Sequence, residues 1–263
     1  MLSVIAIYRS RPWRLLCISF RKSFPALMAL TCLIVAFPVA NGNATGEGSV
    51  GLMAYSVMFD SVSQAQTIDK LIKLCSEKSS KTTWKLPSHE STIGVLSVRE
   101  FSKPLGKMQE TILTSRKERI FRTKCHAYSR SITSQRARMF SLVPSGKLDF
   151  VSSHEVNGNF NSRFAYKTRT EWVKSQNWLL EKEDMLAGAR QIRGRGGRLD
   201  DLHYFTILAA KGNRTLRITA SWCKAGGKLP VIGQVRANYQ DIVECMGVEN
   251  RDIQRFLDRQ IAG

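Results

Sequence analysis

The chain has 263 residues, of which 40 are Lys or Arg and 21 are Asp or Glu, so its formal net charge at pH 7 is +19. Hydrophobic residues make up 43% of the chain and aromatic residues 9%. This apolar content is enough to bury a core, and it excludes a chain that is disordered throughout. We expect one folded domain after an N-terminal segment that does not belong to it.

The N-terminus has the layout of an export signal. Residues 1–23 contain five basic residues and no acidic residue, and residues 24–40 follow without a charge. A basic segment before an apolar run is typical of a signal peptide, and the small residues at 40–44 offer cleavage sites. We therefore expect residues 1–42 to be a signal peptide, residues 43–60 a flexible leader and residues 61–263 a single domain.

The same apolar run allows a second interpretation. Its 17 residues lie at the short limit for crossing a bilayer, so residues 24–40 would anchor the protein if they were not cleaved. Cleavage predicts a periplasmic or secreted bacterial protein, and retention predicts an inner-membrane anchor with the domain facing the periplasm. Residues 43–263 keep a net charge of +14, so the basic character belongs to the domain itself.

Four cysteines remain after the predicted signal: Cys75, Cys125, Cys223 and Cys245. An even number in an exported chain permits two disulfides, which can be connected in three ways. We expect Cys223–Cys245, because the helix predicted after Cys223 would fold back on the preceding strand, and this leaves Cys75–Cys125. Buried free thiols remain the alternative. No spacing matches a zinc or redox motif, so we expect no metal and no cofactor.

The first half of the domain mixes helical and strand patterns. From Ser61, apolar residues recur every three or four positions as far as Cys75, which predicts an amphipathic helix. Residues 92–98 form a short β-type run, and apolar residues alternate with polar ones over 121–127. Residues 138–143 and 147–151 flank a Pro-Ser-Gly turn, which predicts a hairpin with Phe140 and Leu142 on the core face.

The second half contains the clearest strand signal. Apolar and other residues alternate over 205–209 and again over 216–222, and a turn sequence at 211–214 lies between them, which predicts a hairpin. Residues 164–172 favour strands and residues 179–189 a short helix. Helical spacing over 229–246 predicts another helix, and Asn250 is expected to cap a terminal one. The predicted fold is α+β, with a mainly antiparallel sheet and the N-terminal and C-terminal helices packed on one face.

Two basic segments are candidates for binding an anionic partner. Residues 102–147 contain 11 Lys or Arg and only two acidic residues. If this segment is a strand, alternate basic side chains share one exposed face that can bind an anionic partner. The alternative is a basic surface that contacts only solvent. The second segment, 190–198, interleaves Arg with Gly, so that backbone amides and guanidiniums can approach a carboxylate or phosphate closely. The alternative is a mobile basic loop without a ligand. The candidate residues are Arg116, Arg122, Lys124, Arg193, Arg195 and Arg198.

Catalytic motifs are lacking in the sequence. None of its four histidines lies in a metal-binding or nucleophile motif. The nearest approach to an acid–base pair is Asp201 with His203, on a loop that enters a strand, where aspartates also serve as turn residues.

These patterns favour an exported, non-catalytic binding or assembly protein with a basic surface. The predicted partners are an anionic envelope polymer, a lipid headgroup or an acidic protein. For an exported protein, nucleic acid is the least accessible partner, and a membrane is expected only if residues 24–40 are kept. The alternatives are an exported hydrolase or transferase that uses His203 and Asp201, and a membrane-anchored component of an envelope complex.

Overall fold

A computed structural model of the chain describes residues 46–60, 64–77, 82–115, 126–157, 163–193, 197–229 and 233–259. These residues form five helices and ten strands. The helices are α1 (Gly46–Phe59), α2 (Gln64–Glu77), α3 (Leu105–Thr114), α4 (Ser134–Leu142) and α5 (Tyr239–Arg259). The strands are β1 (Thr83–Leu86), β2 (Ile93–Phe101), β3 (His126–Arg130), β4 (Gly146–Asn157), β5 (Arg163–Lys174), β6 (Trp178–Met185), β7 (Arg190–Arg193), β8 (Gly197–Lys211), β9 (Arg214–Leu229) and β10 (Gly233–Arg236).

All ten strands belong to one antiparallel sheet, which confirms the α+β class and the mainly antiparallel sheet. The main order is β1-β2-β9-β8-β6-β5-β4-β3, with β10 added beside β9 and β7 beside β5. The predicted hairpin is β8–β9, the two longest strands. Gly212 closes its turn with a φ of 58°, a left-handed conformation that glycine adopts without a steric penalty.

Helices cover both faces of the sheet, whereas the sequence predicted helices on one face only. On the outer face, which carries Phe205 and Trp222, apolar side chains of the strands pack against α1 and α2. On the inner face, Leu179 and Leu208 pack in a cluster that includes residues of α3, α4 and α5. Side chains of a strand alternate between the two faces, so strands buried on both sides need two helical layers.

The predicted leader is wrong where the structure describes it, because residues 46–59 are helical. Four apolar residues of α1 are almost completely buried: Val50, Ala54, Val57 and Met58. They pack in the outer core with α2, which confirms the helix predicted there. The glycine and serine residues near the start of α1 are typical of a flexible segment, so the sequence analysis did not recognise its apolar face.

The predicted hairpin over 138–151 is also wrong in its first half. Residues 134–142 form α4, and the hydroxyl of Thr133 caps the helix by accepting a hydrogen bond from the backbone nitrogen of Arg136 at 3.2 Å. An N-cap of this kind satisfies one of the free backbone donors of the first turn. Phe140 is buried, but Leu142 is 78% exposed and does not share a core face with it.

Residues 178–185 form strand β6 instead of the predicted helix. Trp178, Leu179 and Leu180 are all buried, because β6 lies between β5 and β8 and is covered on both faces. A continuous apolar run is the pattern of such a strand, and it resembles a buried helical segment in sequence.

The two predicted C-terminal helices are a single helix. Residues 233–236 form β10, and α5 begins at Tyr239, where Asn238 and Asp241 exchange two backbone-to-side-chain hydrogen bonds. Asn250 lies inside α5, buried against the sheet, and does not cap a helix.

The expected Cys223–Cys245 disulfide is not formed, and both residues are thiols. Burial, together with the nearby Cys245 and the aspartates at 200 and 201, raises the pKa of Cys223 to about 12. Cys223 is half-buried on β9, whereas Cys245 is exposed on α5. Cys75 is buried in α2, and Cys125 lies outside the described residues, so their pairing stays a prediction.

Candidate functional site

Two arginines flank a glycine across three neighbouring strands. In the register of the sheet, Gly226 of β9 pairs with Arg198 of β8 on one side and with Arg236 of β10 on the other. Directly paired residues point to the same face. Neighbouring strands lie about 4.8 Å apart, so the two arginine Cα atoms are about 10 Å apart across a position without a side chain. This row can receive an anionic group between two guanidiniums.

The row lies on the outer face, beyond the part that α1 and α2 cover. Gly226 alternates in step with Trp222, which packs in the outer core. Arg198 and Arg236 are both exposed. The carboxylate of Asp200 lies 2.8 Å from the Nε atom of Arg198 and holds its guanidinium in place.

Three more arginines extend this surface at the ends of β5 and β7. Arg163 pairs directly with Arg193, and Ala165 pairs with Arg190. Like charges placed opposite each other destabilise a sheet, and here the carboxylate of Glu155, which forms an ion pair with Arg163, offsets part of that repulsion.

We define the outer basic patch by five arginines, listed here: Arg163, Arg190, Arg193, Arg198 and Arg236. Two of them are ion-paired, as described above. Within the described part of the chain, the other three form no ion pair and are exposed. The patch therefore carries an excess of positive charge that faces solvent.

Two of the six predicted binding residues fall in this patch, Arg193 and Arg198. Arg195 lies outside the described residues, as do Arg116, Arg122 and Lys124. Arg130 belongs to the basic segment 102–147 but points inward: it donates hydrogen bonds to the carbonyls of Leu113 and Ile112 at the end of α3, and its guanidinium lies 4.7 Å from the ring centre of Trp172. Its charge serves packing and helix capping.

The structure brings together His203 and Asp201, the predicted acid–base candidates, and adds a third residue. The Nε2 atom of His203 lies 3.2 Å from Asp201, and its Nδ1 atom lies 2.9 Å from Asp184 of β6. Above this cluster, the ring of Phe59 in α1 lies 5.0 Å from the His203 ring and stacks on His89 at 3.7 Å.

A carboxylate at each ring nitrogen favours the charged imidazolium. Desolvation lowers the pKa of His203, but the hydrogen bond and charge of Asp184 and the charge of Asp201 outweigh it, so the pKa is raised above its ordinary value of 6.5. The cluster joins β6 to β8 through His203 and lies against Phe59 of α1.

The inner face contains a buried charged network that the sequence did not reveal. Arg217 of β9 is only 3% exposed. It donates hydrogen bonds to Asn250 and Glu249 of α5, each at 2.5 Å, and to the hydroxyl of Tyr204 at 2.9 Å. Desolvation lowers the pKa of Arg217, but Glu249 outweighs it, so the pKa is raised and the guanidinium stays charged. The network fixes α5 to the sheet.

A second buried polar group lies further along the inner face. The ring of His154 in β4 stacks on Tyr166 at 4.7 Å, and its Nε2 atom lies 3.0 Å from the Thr168 hydroxyl and 3.7 Å from Glu183. Buried groups of this kind are held by mutual hydrogen bonds. Within the described residues, no group of three or more His, Cys, Asp or Glu side chains is placed to hold a metal ion.

Sequence reasoning missed Arg163 and Arg236 because each joins the patch through a partner that is distant in the chain, whereas Arg190 lies in the basic segment 190–198 that the sequence singled out. Arg236 was assigned to a helix, and its strand pairs with Gly226. The pair of glycines at 226 and 227 was the available signal, because glycine in a strand marks close approach of another chain or ligand.

Comparisons with known proteins do not assign the chain to a family. No family model and no curated protein matches the chain. The chain is similar to the lipid transfer and protein localization domain of human StarD13, with 10% identity, a TM-score of 0.41, and 72% of this chain and 95% of that one covered. It is also similar to a putative uncharacterized protein from Rhizobium leguminosarum, with 11% identity, a TM-score of 0.39, and 63% of this chain and 94% of that one covered. Protein Ms6760 from Mycobacterium smegmatis has 10% identity and a TM-score of 0.37, with 65% of this chain and 94% of that one covered.

Proposed function

We propose that this domain is an exported, non-catalytic binding protein that holds an anionic partner on its outer basic patch. The observation that supports the proposal is the row Arg198–Gly226–Arg236, in which two exposed guanidiniums flank a position without a side chain. A guanidinium binds carboxylate and phosphate groups through paired N–H donors. The partner therefore carries one of these groups.

The charge around the row supports the same conclusion. Arg193 is exposed opposite Arg163 in the register of the sheet, and because Glu155 already balances Arg163, the guanidinium of Arg193 is the one available for an anion. Because the patch is exposed to solvent, its attraction for an anion extends over about 10 Å at an ionic strength of about 0.1 M and is screened by salt. Association should therefore weaken steadily as salt is added.

Fluorescence anisotropy with two labelled probes, an oligoglutamate and a polyphosphate, tests the proposal and separates carboxylate from phosphate recognition. The double variant Arg198→Glu/Arg236→Glu should bind the preferred probe roughly tenfold or more weakly than the natural chain. Its thermal unfolding should be close to that of the natural chain, since both side chains are exposed.

The matched control is Arg251→Glu/Arg259→Glu. It makes the same change in charge at two exposed arginines of α5, the helix that covers the inner face of the sheet. Affinity should be lost in the first double variant and largely kept in the second. Equal losses in both would reduce the effect to net charge, and binding that ignores salt or both variants would contradict the proposal.

A further inference from the structure

Helix α4 and the turn after it expose three large apolar side chains side by side. Met139 is 61% exposed, Leu142 78% and Val143 40%. Single exposed apolar residues are common on protein surfaces, but a contiguous group marks an interaction site. The fold does not use these side chains, because Ala137 and Phe140 bury the opposite face of the helix in the inner core.

The exposed side of α4 has an ordered arrangement. A helix turns by about 100° per residue, which places Leu142 and Met139 next to each other, opposite the buried face. Arg138 follows on the side of Leu142 and Arg136 on the side of Met139. The exposed Gln135 lies within the same stripe, one turn nearer the N-terminus. The apolar stripe is thus bordered by an arginine on each side.

The sheet holds this helix firmly in place. Thr133 caps its first turn, and the Nζ atom of Lys174 in β5 donates a hydrogen bond to the carbonyl of Ser141 at 2.6 Å. The helix contains no acidic residue. Within the described residues, neither Arg136 nor Arg138 forms an ion pair, and both are exposed. The apolar stripe therefore lies on a helix whose position the sheet fixes, and the charges of its two bordering arginines are available to a partner.

An apolar stripe with arginines on both borders matches the chemistry of a bilayer surface. The apolar side chains enter the boundary of the acyl chains, and the arginines extend to the phosphate groups above them. Anionic lipids add attraction for each arginine. We propose that α4 and the following turn are a docking tip for an anionic phospholipid bilayer, with Met139 and Leu142 inserted and Arg136 and Arg138 on the headgroups.

The docking tip and the outer basic patch lie at opposite ends of the same pair of strands. Gly146, just after the tip, pairs with Lys174 at the end of β5, whereas Arg163 of the patch begins β5 and pairs with Asn157. A strand of this length spans about 35 Å. A domain docked through the tip would hold the patch away from the bilayer. The inference does not depend on the proposed function, because a separate surface carries it.

The test uses the full chain with phosphatidylglycerol vesicles and with neutral phosphatidylcholine vesicles. Hydrogen–deuterium exchange should show protection of residues 134–147 on anionic vesicles and much less on neutral ones. This local readout separates docking by α4 from any binding by the apolar residues 24–40. The exposed Leu52 region of α1 serves as the internal control and should stay unprotected.

Two variants identify the side chains responsible. Met139→Glu/Leu142→Glu should abolish the protection and weaken partitioning by at least about tenfold. Arg136→Gln/Arg138→Gln should weaken it by about fivefold for each arginine. Leu52→Glu and Arg251→Glu/Arg259→Glu, changed at other exposed sites, should keep the protection.

Three results would overturn the inference. The first is exchange at 134–147 that vesicles leave unchanged. The second is equal protection in the Met139→Glu/Leu142→Glu variant. The third is protection that rises with protein concentration without vesicles and disappears in that variant, since a second copy of the chain would then occupy the stripe.

Discussion

Arg217 of β9 donates a hydrogen bond from its Nη1 atom to the side-chain oxygen of Asn250 in α5, over 2.5 Å. Both residues are at least 95% buried, and 33 positions of the chain separate them. The same guanidinium binds Glu249, so one buried cation joins the centre of the sheet to the C-terminal helix.

Removing this cation should strongly destabilise the fold. Replacing Arg217 with Met removes the cation beside Glu249, which keeps a hydrogen bond from the Tyr204 hydroxyl, and leaves the buried Asn250 oxygen without its donor. Since Glu249 is partly exposed, the cost should be about 2–4 kcal/mol, between that of a lost buried hydrogen bond and that of a broken buried ion pair. Arg214→Met is the control, because Arg214 lies on the same strand and its side chain is 65% exposed. Its ion pair with Glu100 should contribute less than about 1 kcal/mol. Chemical denaturation of both variants measures the difference, and similar losses would contradict the assigned role.

The His203 cluster predicts a pH dependence of stability. The pKa of His203 is raised in the fold, so the charged ring contributes its full stability below the unfolded pKa of about 6.5 and loses it as the pH rises through the folded value. The cluster also faces His89, so His203→Gln is needed to isolate the effect. The melting temperature of the natural chain should exceed that of His203→Gln by more at about pH 5.5 than at about pH 9. If the melting temperatures of the two proteins differed by the same amount at both pH values, the His203 cluster would not be the source of the pH dependence.

Gly94 of β2 is predicted to tolerate no side chain. A Cβ atom there would lie 2.7 Å from the Cβ atom of Leu86 and 2.8 Å from the Nε1 atom of Trp222, whose indole donates a hydrogen bond to the carbonyl of Pro87. Gly94→Ala should therefore cost about 1–3 kcal/mol through overpacking.

Gly106 in α3 provides the matched comparison. An added Cβ atom meets nothing within 4 Å there. Gly106→Ala should stabilise the fold by about 0.4–1 kcal/mol, because alanine loses less conformational entropy in a helix. A denaturation midpoint that falls in Gly94→Ala and rises in Gly106→Ala would support the packing around Trp222. An unchanged midpoint for Gly94→Ala would contradict it.

Helix α2 is tied to the sheet by a hydrogen bond from the Nε1 atom of Trp178 to Asp69 at 2.9 Å. Trp178 is buried, so Asp69→Ala leaves a buried donor without its partner and should cost about 1–3 kcal/mol. Lys70→Ala, at the exposed next position, should change stability by less than about 0.5 kcal/mol. Equal effects of the two changes would show that the hydrogen bond contributes little.

Local patterns predicted part of the fold correctly. The period of Ile68 and Cys75 predicted α2, and alternation on both sides of Gly212 predicted the β8–β9 hairpin. The same reasoning failed at Phe140 and Leu179, where a helix and a strand covered on both faces give short apolar runs that periodicity alone does not distinguish. Partners elsewhere in the chain decided these two segments.

The candidate site divides in the same way. The Arg-Gly segment and the pair Asp201 and His203 were visible in sequence, because their chemistry lies within a few residues. Arg236 joins Arg198 only through the register of β9, and Asp184 reaches His203 only through the pairing of β6 with β8. The exposure of Leu142 likewise depends on which face of α4 meets the core.

The sequence by itself determined the α+β class, the basic charge and the elements whose apolar period is unambiguous. The tertiary structure decided which faces are covered, which charges are buried with Arg217 and which arginines share a surface. The physical reason is that backbone conformation follows side-chain periodicity over a few residues, whereas burial and charge pairing depend on strands that meet across the sheet.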